Sequence, residues 1–365
     1  MVFPILMIPG PTNLSDQVLR VMSDPMLGHT SPQFYEDYKE AQMLSAKLFG
    51  SEEDKTVLFS GSGTFGIEAG ISTFLKDGDK VLSLVNGYFG DRFAKIAEIY
   101  GIKVKTVSFP DGMAADPDTL KRELQMEKYD AVSMTHIDTS TGVMNDIISL
   151  GNIAKEYGAY VFVDLVSSLG GSKFRFDDGP FDYAYSASQK CIAAPPGASL
   201  IAISDDLLKR SHDFKPKSYY FNLKMWLDVM KDPKIYLTTP TIPVIRALKV
   251  ALKELFEEGL EARIRRHEEM GKLAWDFAIS MGWKPVSNKP SSTVIAIDLA
   301  LPISAAVKDY MLNKKNILIA TGIGPNAGNI IRVGYMGNTS KQLLLNTLKG
   351  IEEAVIAVKS SKQLH

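Results

Sequence analysis

The sequence predicts an α/β fold, with a mostly parallel sheet in a large domain and a smaller C-terminal α/β domain behind it. Three observations carry this. Between residues 55 and 204, strand-sized apolar runs alternate with amphipathic helical stretches, the pattern of βαβ units. The runs are apolar at nearly every position instead of every second one, as strands covered on both faces must be. Beyond Pro243 the pattern changes to long helical periodicity followed by short strands.

In chain order, the predicted strands are Thr56 to Ser60, Lys80 to Val85, Lys103 to Phe109, Ala131 to Thr135, Tyr160 to Asp164, Tyr183 to Ala187 and Ser199 to Ile203. Helical patterns lie between them at Gly66 to Leu75, Arg92 to Tyr100, Pro117 to Glu127 and Ser149 to Tyr157. Val244 to Glu258 and Leu260 to Met281 read as a linking helix pair broken only by Gly259. Strands at Thr293 to Asp298, Ile317 to Ala320 and Asn329 to Gly334 follow, with helices near Ser304 to Asn313 and Ser340 to Val358. The expected division is an N-terminal segment (1–14), a large domain (15–250) and a small one (251–365), with the boundary near 245 to 265.

A chain of 365 residues has length for about two domains. Its 41 Lys and Arg balance 42 Asp and Glu, so no global field draws nucleic acid or an anionic membrane, and neither is expected as a partner. The single cysteine, Cys191, allows no internal disulfide and no thiolate zinc cluster, so no metal is expected and a reducing, cytoplasmic setting fits. The apolar start is broken by Pro4, Pro9 and Pro11 and lacks a basic region, which argues against an export signal, and no run reaches membrane-spanning length.

Ligands of open parallel sheets sit at the carboxyl ends of the strands, so the strand-to-loop junctions are where chemistry is expected. Ser60-Gly61-Ser62-Gly63-Thr64-Phe65-Gly66 follows a strand and opens a helix, a natural anion site. Its glycines match a dinucleotide fingerprint formally, but the next strand ends in Asn86-Gly87 without the ribose-binding acid. A single phosphate group at Ser62, Gly63 and Thr64 fits better, with a plain tight turn as the bland alternative. Asp164 closes an apolar strand, where a carboxylate needs a cation or donor, or else caps the following turn. Lys190 is the one charged residue from Tyr183 through Ser204, a setting that would depress its pKa if buried; an ordinary surface lysine is the alternative. Arg332 is a lone cation in the strand Asn329 to Gly334, suited to clamping a carboxylate or simply facing outward.

Together these residues match one cofactor. Pyridoxal 5'-phosphate carries a phosphate for a helix N-terminus, a pyridinium nitrogen that wants a carboxylate, and an aldehyde that wants a lysine.

The chain also resembles the class V branch of the fold-type I pyridoxal-phosphate aminotransferases, specifically the alanine-glyoxylate and serine-pyruvate group. The resemblance runs nearly end to end: Pro9-Gly10-Pro11, Gly28-His29-Thr30-Ser31-Pro32, Ser60 to Gly63, Asn86-Gly87-Tyr88-Phe89-Gly90, Thr135-His136, Ser140 to Val143, Ser188-Gln189-Lys190, Ala194 to Gly197, Thr241-Ile242-Pro243-Val244, Gly322 to Pro325 and Arg332-Val333-Gly334. It implies that Lys190 holds the cofactor as a Schiff base and acts as general base, while Asp164 pairs with the ring nitrogen. Phe89 would stack on the ring, Thr139 would lie near the ring oxygen, and Ser62, Gly63, Thr64 and Gln189 would form the phosphate cup. Arg332 would bind the substrate α-carboxylate. The family completes the cup from the partner subunit of a homodimer with shared active sites, a role that Thr241 fits. Part of the family has a tyrosine three residues before that threonine; here Thr238 stands there, with Tyr236 nearby.

The implied activity is ping-pong transfer of an amino group from a small neutral amino acid, alanine or serine, to glyoxylate or pyruvate, since no second cation is evident for a dicarboxylic donor. A 2-aminoethylphosphonate-type transaminase is the nearest rival, and a non-catalytic binding protein that kept the fold the next. A cysteine desulfurase would need its cysteine on a mobile loop well after the lysine, whereas Cys191 abuts Lys190.

Overall fold

The computed structural model describes residues 3–110, 112–213, 215–232, 234–235, 237–324 and 327–362. The chain begins with β1 (Ile5–Leu6), α1 (Asp16–Met22) and α2 (Pro32–Phe49). Then follow β2 (Thr56–Ser60), α3 (Gly63–Phe74), β3 (Lys80–Val85), α4 (Tyr88–Ile99), β4 (Lys103–Ser108), α5 (Pro117–Met126), β5 (Ala131–Thr135), α6 (Ile147–Glu156), β6 (Tyr160–Asp164), β7 (Tyr183–Ala187) and β8 (Ala198–Ile203). After α7 (Asp205–Arg210) and α8 (Leu223–Lys231) come the long helices α9 (Ile242–Glu258) and α10 (Leu260–Ser280). The chain finishes with β9 (Lys284–Pro285), β10 (Val294–Asp298), α11 (Ser304–Lys315), β11 (Ile317–Leu318), β12 (Ala320–Thr321), β13 (Ile330–Gly334) and α12 (Lys341–Lys362).

The large sheet has the order β2-β8-β7-β6-β5-β3-β4 and is parallel except for β8, which runs against both β2 and β7. Strands β2, β5, β7 and β8 are buried along their whole length, and β3 and β6 at all but their end residues, which is why they read as continuous apolar runs. The small sheet, β12-β13-β10-β9, is antiparallel. Among the described residues no helix is long and apolar enough to cross a membrane.

Among the described residues two large apolar cores form, with a small cluster of Ile137, Cys191, Val294 and Met336 beside them. One runs from Val18 to Leu255 and includes the inner face of α9; the other joins Met270, Ala274 and Ala278 of α10 to β10, β13 and α12. The helix pair therefore changes core at Gly259, whose φ of 87° suits a residue without a side chain. Met7 packs in the second core, and β1 pairs in parallel with β11, so the N-terminal segment is fastened to the C-terminal part of the chain.

Several boundaries move from their expected places. Helix α3 starts at Gly63 and α4 at Tyr88, each one turn earlier than periodicity indicates; in α3 the first turn holds Gly63 and Gly66, which carry no hydrophobic signal. The expected strand from Ile317 to Ala320 is two strands, one paired with β1 and one with β13. Helices α1, α2, α7 and α8 have no counterpart among the helical patterns read from the sequence.

Candidate active site

Parallel strands present their carboxyl ends together, and here the loops after β2, β3, β5, β6 and β7 meet at one cavity of about 280 Å³. Ser62, Gly63, Thr64, Phe89, Thr139, Asp164, Gln189 and Lys190 all line it. Arg332 stands just behind Thr139, and Thr241 lies elsewhere.

Lys190 leaves the turn after β7, and its ammonium donates to the carbonyl of Pro9. Burial pushes its pKa down to about 8, with the Arg332 and Arg92 cations adding to the effect. The N-terminal segment forms the wall beside it. Thr12 donates through its N–H to the Gln189 carbonyl (3.2 Å) and through its hydroxyl to the Lys190 carbonyl (3.2 Å).

Asp164 ends β6 and is buried. Its Oδ1 accepts from the Val166 N–H at 2.7 Å, and it also accepts from the Tyr185 hydroxyl. Burial raises its pKa to about 6, assisted by the nearby Asp138 carboxylate and opposed by these donors and by Lys190. The turn-capping and site readings of Asp164 thus coexist, since one oxygen serves the turn while the side chain lines the cavity.

Helix α3 opens at Ser62 with no side-chain cap, leaving its first N–H groups directed at the cavity. Gly63 is required by packing: a Cβ there would lie 2.8 Å from Val166 Cγ2. The side-chain oxygen of Gln189 is buried with no hydrogen-bond partner. Thr64 Oγ1 accepts from Arg92 Nη1 at 3.3 Å.

Phe89 is held from below by a residue that sequence reasoning missed. Asp138 is fully buried and accepts from the N–H groups of Phe89 (3.0 Å), Gly90 (3.2 Å) and Ser140 (2.8 Å), which caps α4 and fixes the turn bearing Thr139. Gly87 admits this carboxylate, because a Cβ there would fall 2.2 Å from Asp138 Cγ. The polar run after β5 was its only signal. The Thr139 hydroxyl bonds Ser167. Arg332, buried, donates from Nε to the Thr321 carbonyl (2.9 Å) and from Nη1 to the Thr139 carbonyl (3.2 Å), so it faces the site and not solvent.

Thr241 sits at an exposed position outside the cavity of its own chain; its hydroxyl meets Ser60 (3.0 Å) and the Gly197 carbonyl (3.3 Å). Tyr236 lies outside the described residues, as does Pro325. Cys191 is fully buried and its thiol is pushed up to about 12, so it is no thiolate at neutral pH.

These groups suit pyridoxal 5'-phosphate: an uncapped helix N-terminus for the phosphate, a buried carboxylate for the ring nitrogen, and a partly buried amine with a depressed pKa for the aldehyde.

A family model described as aminotransferase class-V matches residues 10–333. An uncharacterized aminotransferase of Methanocaldococcus jannaschii is 35% identical over 360 residues, covering 96% of this chain and 92% of that protein. The serine-glyoxylate aminotransferase of Methylorubrum extorquens is 32% identical over 367 residues, covering 96% and 90%. Among solved structures, the alanine-glyoxylate aminotransferase of Nostoc sp. superimposes with a TM-score of 0.92 at 30% identity, covering 97% of this chain and 96% of that one.

Proposed function

Because the chain belongs to the class-V aminotransferases, which depend on pyridoxal phosphate, we propose that it moves an amino group from alanine or serine to glyoxylate or pyruvate by a ping-pong cycle. The observation that carries this reading is the convergence of Lys190, Asp164 and the cup at Ser62–Thr64 on one cavity, with Arg332 behind it.

The cofactor, when bound, supplies an aldehyde for the substrate amine and a ring that accepts the electrons released at Cα. Lys190 is the base that takes the Cα proton and gives it back on the other side of the exchange. With its pKa at about 8, about one lysine in ten is a free amine at pH 7, against about one in three thousand for an ordinary lysine. Asp164, buried at the end of β6 and lining the cavity, would hold the ring nitrogen, where its carboxylate would keep a proton on that atom. Arg332, with two N–H groups tied to backbone carbonyls, is aimed so that the rest of its fork can take the substrate carboxylate. Phe89 would give the ring an apolar face, and the Thr139 hydroxyl and the Gln189 side-chain NH₂ would donate to oxygens of the bound group.

We assign Thr241 to the cup of the opposite subunit in a homodimer with shared sites. Its exposure and its distance from its own cavity support that assignment. A reducing, cytoplasmic setting accords with one buried, unpaired cysteine.

The test is a panel of amino donors, alanine, serine, aspartate and 2-aminoethylphosphonate among them, each with glyoxylate and with pyruvate. Alanine or serine should turn over fastest, with parallel double-reciprocal lines. No transfer from either, or intersecting lines, would overturn the substrate assignment or the cycle respectively.

A further inference from the structure

Arg92 lines the cavity from the second turn of α4, yet no carboxylate pairs with it among the described residues. The acid beside it in sequence, Asp91, is taken by Lys95 at 2.5 Å. Its guanidinium instead donates to Thr64 Oγ1 at 3.3 Å and lies over two aromatic faces, 4.7 Å from the Phe89 centroid and 5.3 Å from that of Tyr88. A cation in a part-enclosed cavity is costly without an anion.

The cup has the opposite deficit. Ser62, Thr64, Gln189 and the first N–H groups of α3 are neutral donors, and a helix N-terminus contributes only about half a positive charge. A phosphate monoester brings about −1.5 to −2 at pH 7.

We propose that Arg92 is an anion ligand of the cofactor's phosphate end, supplying the charge that the rest of the cup lacks. The proposal rests on the cofactor assignment above. Arg92 acts in two ways. Its positive charge would lie near a phosphate held at the Thr64 hydroxyl, and by occupying a lone pair of Thr64 Oγ1 it would leave that hydroxyl's hydrogen free to point at the phosphate. The stack on Phe89 and Tyr88 holds the weakly hydrated guanidinium in place, which a lysine ammonium would not reproduce.

The experiment compares binding of pyridoxal 5'-phosphate and of pyridoxal, which lacks the phosphate, to the full-length chain freed of cofactor. Protein fluorescence and aldehyde absorbance give the readout. In Arg92→Gln, affinity for pyridoxal 5'-phosphate should fall about ten- to hundredfold while affinity for pyridoxal stays within about twofold of wild type. Arg92→Lys should lie between, and inorganic phosphate should compete with pyridoxal 5'-phosphate less well in the Gln variant than in wild type. Equal losses for the two aldehydes would place Arg92 in the support of Phe89 and overturn the proposal. So would unchanged affinity for the phosphate form with a raised KM for aspartate, which would make Arg92 a substrate-side cation. Failure of the wild-type chain to bind pyridoxal 5'-phosphate would instead overturn the cofactor assignment. Thermal melts of both variants separate loss of fold from loss of the charge.

Discussion

The backbone of Gly10 passes directly against the side chain of Lys190: a Cβ on Gly10 would lie 2.4 Å from Lys190 Cδ and 2.8 Å from Nζ. The segment is also shaped for a glycine, with φ at +91°. Gly10→Ala should therefore displace the lysine and lower kcat at least about tenfold, since misplacing a reacting group by about 1 Å is enough for a loss of that size. Kinetics run beside a thermal melt check this, and a variant with wild-type kcat would show that the lysine does not depend on that wall.

Lys190→Ala should lower turnover by at least about 10⁴-fold, because it removes both the attachment point and the base. The depressed pKa has its own test. In the cofactor-free chain, the rate at which Lys190 is labelled by an amine-selective reagent should rise with pH and level off above about 8. A midpoint near that of an ordinary lysine would refute the effect of burial.

Asp164 gives a pH dependence of the less common sign. Its folded pKa, raised to about 6 from 3.8, means that the folded chain holds a proton the unfolded chain releases. The stability it contributes to the cofactor-free protein is complete below about pH 4 and is lost as pH rises through about 6. The gap between wild type and Asp164→Asn in denaturant unfolding should thus shift against wild type by about 3 kcal/mol across that window. With cofactor present, the Asn variant should bind it more weakly and lose kcat. A flat difference from pH 4 to 7 would contradict the raised pKa.

Arg332→Gln should raise the KM for glyoxylate and pyruvate by about a hundredfold, with a smaller change in kcat, and Arg332→Lys should restore little because the two-pronged fork is lost. Initial rates at varied oxo acid decide this. An unchanged KM would leave Arg332 as a tie between β13 and the Thr139 turn.

Much of this architecture is visible in the residues themselves. Five of the seven strands of the large sheet fall on their expected limits, because runs buried on both faces are apolar from end to end. The strand-end residues Asp164 and Lys190 stand out for the same reason, as charges at the edge of apolar runs. Arg92 and Asp138 could not be found that way. Arg92 opens the helical pattern read from the sequence, where an arginine reads as solvated, and only the place of α4 beside α3 brings it to the cavity. The partners of Asp138 at Phe89 and Gly90 are nearly fifty residues away in sequence. The place of Thr241 is hidden too, for its contacts within one chain do not reach the cavity.

The pairing of β1 with β11 bears on how the protein comes to be assembled. Ile5 and Leu6 find their strand partners at Ile317 and Leu318, so the strand pairing that fastens the chain ahead of the wall of residues 9–12 forms only once most of the chain has been synthesised. The strands of the large sheet all lie before residue 204, so their partners emerge well before those of β1. Closing so long a loop is slow in comparison with local folding. Acquisition of a competent site should accordingly trail the appearance of secondary structure during refolding.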